Sequence, residues 1–159
     1  MSVNRERLHL IIVPEDDACR QLVNGFFLVA DHGQVRVSTV AGGWRRAVDV
    51  LLDTYVPYLE RNDNGHVLIV VDFDDDSGRG NAILEKVPTT VRDRVFVLGC
   101  LREAEDLKRA NLGNYESIGK TLADECKDSR REVWVHELLA HNEPHTAILS
   151  QALQATLFP

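Results

Sequence analysis

Basic residues are in deficit: Lys and Arg number 18 against 25 Asp and Glu, a formal net charge of −7. That balance excludes a protein that holds nucleic acid by bulk electrostatics, since phosphate binding relies on Lys and Arg. It leaves room for one whose acids are gathered around metal ions, because a bound cation inverts the local charge and a partner protein can supply a basic surface. Long apolar runs are missing too; none approaches the ~18 residues of a membrane span. The opening "MSVNRERLHL" passes from polar residues straight into a candidate strand, so no signal peptide is expected and a cytoplasmic location is. Cysteine is scarce. Cys19, Cys100 and Cys126 are odd in number, far apart and without metal-ligand spacing, and are expected as reduced thiols in or near the core. Internal repeats and low-complexity segments are absent, and 159 residues suit one domain with a proper core.

What is present alternates between strand and helix signals. Leu8 to Val13 is a continuous apolar run, as in a parallel strand buried on both faces. A helical stripe follows through Cys19, Leu22, Val23, Phe26 and Phe27, then a turn at Asp31–Gln34. Val35 to Val40 alternates and is β-branched; Gly42 and Gly43 break it. A long helix fits Trp44 to Arg61, kinked or divided by Pro57. His66 to Asp76 is a third strand, a short helix lies around Asn81 to Lys86, and Arg94 to Gly99 is a fourth strand. Everything after Gly99 reads as helical pieces and their connections. The sum is a β-α-β-α-β-α-β core over residues 1–100 with a helical C-terminal extension, 101–159, packed on it. Such alternation implies a four-stranded parallel sheet covered on both faces.

The first and third strands both end in acid: Glu15, Asp16 and Asp17 after one, Asp72, Asp74, Asp75 and Asp76 after the other. In sheet order 2-1-3-4 these strands are neighbours, and the crevice beyond their carboxyl ends is where ligands bind. Two acid clusters meeting there repel unless a cation lies between them. Oxygen donors with open water positions suit Mg²⁺ or Mn²⁺. The competing explanation is that such acids cap the following helix, a role expected for Asp17.

Two families begin in this way. A receiver domain of two-component signalling needs a hydroxyl residue after the fourth strand and a Lys, usually before Pro, after a fifth; the chain has "VLGC", no fifth strand and no Lys-Pro pair. The Toprim pattern is a Glu directly after the first strand, a Gly-containing turn after the second and Asp-x-Asp at the end of the third. The chain resembles it over about residues 8 to 100: "IIVPED" places Glu15, "VAGGW" gives Gly42 and Gly43, and "VVDFDDD" gives Asp72-Phe73-Asp74. It departs from the family after Glu15, where Asp16 and Asp17 replace the common Glu-Gly and its later acid. "VFVLGCLREAEDLK" is similar to the segment of small stand-alone Toprim-like proteins, and of nucleases of the overcoming-lysogenization-defect type, that supplies another acid after the fourth strand.

The resemblance implies a Rossmann-like Toprim fold and a metal-dependent nuclease acting on DNA rather than RNA, with Mg²⁺ or Mn²⁺ held by Glu15, Asp72 and Asp74. Glu105 and Asp76 are further candidate ligands. On an extended strand end, residues i and i+2 point the same way, so Asp72 and Asp74 are expected to face one ion. Arg45 and Arg46, opening the helix after the glycines, are candidate phosphate contacts. An ATPase partner, a role in defence against foreign DNA and assembly into a homo-oligomer are implied by the same likeness. The alternative is a non-catalytic module that docks on or regulates an ATPase. Lys120 in "SIGKT" lacks the first glycine and the preceding strand of a phosphate loop. His136, His141 and His145 are interrupted by Pro144, and Trp134, Leu138 and Leu139 beside them read as core.

Overall fold

Leu10 and Ile12 point into one hydrophobic core while Ile11 and Val13 point into another. Successive side chains of a strand face opposite sides, so this apolar run is the signature of a strand sandwiched between two helical layers. The strand is β1, His9–Pro14, buried at all six positions. In the computed structural model, which describes residues 3–31 and 33–159, β1 pairs in parallel with β2 (Val35–Val37) on one side and β3 (Gly65–Val70) on the other. β4 (Val95–Leu98) pairs with β3, and the sheet order is 2-1-3-4, all parallel, as the sequence leads one to expect.

One face is covered by α1 (Asp17–Phe27), α6 (Tyr115–Lys127) and α7 (Glu143–Leu157), whose Leu22, Ile118, Leu122, Leu149 and Leu153 join Leu10 and Ile12. The other is covered by α2 (Trp44–Val50), α3 (Val56–Arg61) and α4 (Arg79–Glu85), through Val48, Leu59 and Ile83. A short α5 (Ala104–Arg109) follows β4. The C-terminal helices therefore complete the core that the strands begin. Among the described residues no helix is long and apolar enough to cross a membrane.

Three boundaries differ from the sequence expectation. The helix expected from Trp44 to Arg61 is continuous but widens into a π-helical turn at Leu51–Tyr55, where the Val56 N–H reaches back to the Leu51 carbonyl. Pro57, at the start of α3, supplies no N–H and its ring crowds the carbonyl four residues before it, so the wider turn accommodates it. The third strand leaves regular pairing at Val70, although Val71 and Phe73 still donate to Leu98 and Cys100 at 3.0 and 2.9 Å. Residues 131–139 form turns rather than a helix, because the Glu125 carboxylate takes the Val133 and Trp134 amides at 2.9 and 3.2 Å. The turn expected at Asp31–Gln34 includes His32, which lies outside the described residues, as do Met1 and Ser2 of the opening segment; Gly33 donates to Asp31 Oδ1 at 2.9 Å.

α1 and α6 pack at backbone contact. A Cβ on Gly25 would stand 1.9 Å from the Glu116 carbonyl oxygen, and one on Gly119 1.9 Å from that of Leu22. Gly119, in the "SIGKT" stretch, is thus a packing residue. Gly119→Ala should separate the helices at a cost of about 2–3 kcal/mol, seen as a fall of roughly 4–12 °C in Tm; an unchanged melting curve contradicts this packing.

Candidate metal centre

Where β1 ends, the chain is gripped on every side. The Glu15 N–H donates to the Val70 carbonyl at 2.8 Å, and its own carbonyl accepts from Gly42 at 2.8 Å and Gly43 at 3.2 Å. Gly42 and Gly43 have φ of +88° and +133°, a backbone that side chains resist. The glycine pair does more than break a strand: it wraps the Glu15 carbonyl. The Glu15 side chain then reaches across to β3, where Oε2 accepts the Asp72 N–H at 2.6 Å.

Asp72 is the most enclosed acid of the site, 7% exposed. Its Oδ1 accepts the Ala104 N–H at 3.1 Å and faces the Cys19 thiol, a donor 4.0 Å away. Burial, then the charges of Glu15, Asp16 and Glu105, push its pKa up to about 8, against a partial offset from Ala104. Burial also raises Glu15; the Asp72 N–H opposes that rise, the Asp16 and Asp74 charges add to it, and Arg79 lowers it. Cys19 is buried beside these acids, and its pKa stands well above the ordinary thiol value for that reason, so the group is a neutral donor. Glu15, Cys19 and Asp72 bring donor atoms within 4.8 Å of one another and form a cluster able to hold a metal ion.

Asp74 is placed differently from expectation. Asp74 and Asp75 both adopt positive φ, 48° and 64°, so the chain turns away and the i, i+2 relation of an extended strand is lost. The Asp74 carboxylate, 49% exposed, accepts from Arg79 Nη1 at 2.7 Å. The same nitrogen donates to the Asp72 carbonyl at 2.8 Å. Arg79 is only 12% exposed, and its guanidinium lies 4.2 Å over the Trp44 ring. Asp74 therefore stands beside the Glu15–Asp72 pair and is paired to a built-in cation.

The other expected residues fall around this centre. Glu105, in the first turn of α5, bears on Asp72 through its charge. Asp76 closes a turn, accepting from the Gly78 N–H at 3.0 Å, and Asp75 pairs with Arg102 at 3.1 Å. Asp16, not Asp17, caps α1, accepting from the Cys19 N–H at 2.9 Å; Asp17 lies in solvent beside Arg20 and Gln21. Arg45 is exposed and stacks 5.3 Å over Trp44, while exposed Arg46 lies under Gly42. His141 sets its ring edge on Phe73, at 4.5 Å, behind the acidic loop.

Sequence reasoning missed Arg79, Trp44 and the part taken by Cys19. The signal for Arg79 was its place in "DDDSGRG", a lone cation directly after four acids. Trp44 and Cys19 carried only core-like signals, and three-dimensional contact alone shows them at the site.

The Asp72 pKa has a sign that can be tested. A carboxyl titrating near 8 when folded and ~3.9 when unfolded gives stability that is fully present below the unfolded value and lost as pH rises through about 8. Asp72→Asn, which keeps an oxygen for the Ala104 N–H, should therefore be more stable than wild type at pH 8–9 in EDTA. The difference in Tm should shrink toward zero by pH 4–5. A difference that does not vary with pH contradicts the burial of this charge.

Compared with protein-family models, with curated proteins and with solved structures, the chain finds no match in any of the three.

Proposed function

We propose that the cleft beyond β1 and β3 binds Mg²⁺ or Mn²⁺ and that the protein is a metal-dependent nuclease of the Toprim type, hydrolysing phosphodiesters in DNA. The observation that carries this reading is the meeting of the Glu15 and Asp72 carboxylates at the ends of adjacent parallel strands, largely shielded from water. Two such groups repel until a cation neutralises them. Their oxygens are hard donors suited to Mg²⁺ and Mn²⁺, and a neutral thiol at Cys19 argues against a soft-metal centre. A bound divalent cation supplies neutralisation of the charge that develops on a phosphodiester and a water made acidic enough to attack.

The chain's own residues do the rest. Ala104 and Cys19 hold the Asp72 carboxylate, and the Asp72 amide holds Glu15. Arg79, fixed against Trp44, provides a cation among the acids where an anionic substrate must approach. Its planar fork suits phosphate oxygens. Arg45 and Arg46 flank the same entrance and counter the overall negative charge. The Toprim resemblance at Glu15, Gly42-Gly43 and Asp72-Phe73-Asp74 supports the same chemistry. An ATPase partner that adds basic surface, assembly into a homo-oligomer and a role in defence belong to this proposal.

A docking module without catalysis is favoured by one observation, the pairing of Asp74 with Arg79 rather than with an open site. Calorimetry with Mn²⁺, alongside cleavage assays on supercoiled and single-stranded DNA, separates the two. The nuclease reading expects Mn²⁺ binding and metal-dependent cleavage, both lost in Asp72→Ala, with Mn²⁺ affinity of Cys19→Ser within about tenfold of wild type, the size of an outer-shell effect. Binding without cleavage of any DNA favours the docking module; no binding withdraws the metal.

Arg79→Gln gives a further expected outcome. Freeing Asp74 should leave Mn²⁺ affinity unchanged or tighter, while cleavage falls about 10²-fold through loss of the positioned cation. Weaker Mn²⁺ binding with normal cleavage contradicts the role given to Arg79.

A further inference from the structure

A second constructed site lies under the C-terminal helices, away from the acidic cleft. Between the sheet and α6 and α7 is an apolar cavity of about 80 Å³, walled by Ile12, Val70, Leu98, Leu122 and Leu149 among others. Beside it, between the end of α6 and α7, opens a polar cavity of about 190 Å³. Cys126, Trp134, Thr146 and Ser150 line both, so one wall divides an apolar chamber from a polar mouth.

The charged residues of the mouth are Glu125, Arg130 and Arg131. Glu125 is committed to the Val133 and Trp134 amides. Arg130 lies between Asp128 at 3.4 Å and Glu132 at 3.9 Å. Arg131 is different. Its Nη2 is 2.5 Å from Glu143 Oε2, yet Nε and Nη2 are both buried and neither has a hydrogen-bond partner among the described residues. The ion pair is close but misaligned. Orphaned buried N–H groups cost about 1–3 kcal/mol each, and the Nε/Nη2 edge of a guanidinium is the fork that takes a carboxylate through two parallel bonds.

We propose that this is a binding site for a small carboxylate with an apolar tail. The head takes the free edge of Arg131, and the tail passes the Thr146–Ser150 wall into the apolar chamber. An apolar cavity of about 150 Å³ admits benzene, so one of 80 Å³ suits a tail end of roughly three or four carbons. Hexanoate has the right length once the mouth is counted. The site uses none of the acids of the metal cleft.

Trp134 reports on it directly, since the chain has two tryptophans and Trp44→Phe leaves Trp134 alone. In that background, hexanoate should shift the Trp134 emission saturably. Acetate, without the tail, and hexanol, without the charge, should each bind at least about tenfold more weakly, the size of one charge-assisted contact. Arg131→Gln should erase the preference for hexanoate over hexanol, and Ser150→Phe, which plugs the shared wall from the polar side, should weaken hexanoate to the level of acetate. Absence of a saturable shift overturns the site. So does hexanoate binding that is indifferent to both substitutions.

Discussion

A single short hydrogen bond organises this molecule's functional end: the Asp72 amide donating to the Glu15 carboxylate at 2.6 Å. It ties the end of β1 to the end of β3 through a side chain rather than through the sheet, and it forces two acids into one poorly solvated space. Everything nearby answers that constraint. Gly42 and Gly43 hold the Glu15 carbonyl, Ala104 and Cys19 attend to Asp72, and Arg79 brings a positive charge to Asp74 and the Asp72 carbonyl. The Arg79 guanidinium relieves the outer part of the negative charge. The inner pair, Glu15 and Asp72, has no basic side chain among these contacts, and that imbalance is the physical argument for a divalent cation.

The fold supplies the rigidity such a site needs. β1 and β3 are buried at every position between two helical layers, so the residues that follow them inherit a fixed starting point. Gly99 shows how tight the end of the sheet is: a Cβ there would stand 1.7 Å from the Val71 carbonyl oxygen. Asn142 clamps the same residue, accepting its N–H at 3.1 Å and donating to its carbonyl at 2.9 Å. The C-terminal segment thereby braces the loop that delivers the Ala104 amide to Asp72. The tail is part of the site's support as well as part of the core.

The sheet was legible in the sequence because buried parallel strands write themselves as unbroken apolar runs, and the order 2-1-3-4 followed from the alternation of strands with helices. Glu15 and Asp72 were legible because acids at the ends of two adjacent strands have few other places to meet. Asp74 was not, because alternation of side chains holds only while a strand stays extended, and positive φ at Asp74 and Asp75 ends that rule one residue earlier than the motif suggests. The cap of α1 was misplaced by one residue, Asp17 for Asp16, since the two differ in sequence only by register. Arg79 and Trp44 lie 35 residues apart in sequence and meet only through the crossing of α2 and α4 beside the acidic loop, a relation no local pattern carries.

The central claim is that a hard divalent cation sits between Glu15 and Asp72. Anomalous diffraction from crystals equilibrated with Mn²⁺ tests it most directly. The account predicts a peak within coordination distance, about 2.0–2.3 Å, of a Glu15 and an Asp72 oxygen, with the Cys19 sulfur outside that shell. A peak elsewhere, or none at saturating Mn²⁺, would contradict it and return these acids to a purely structural role.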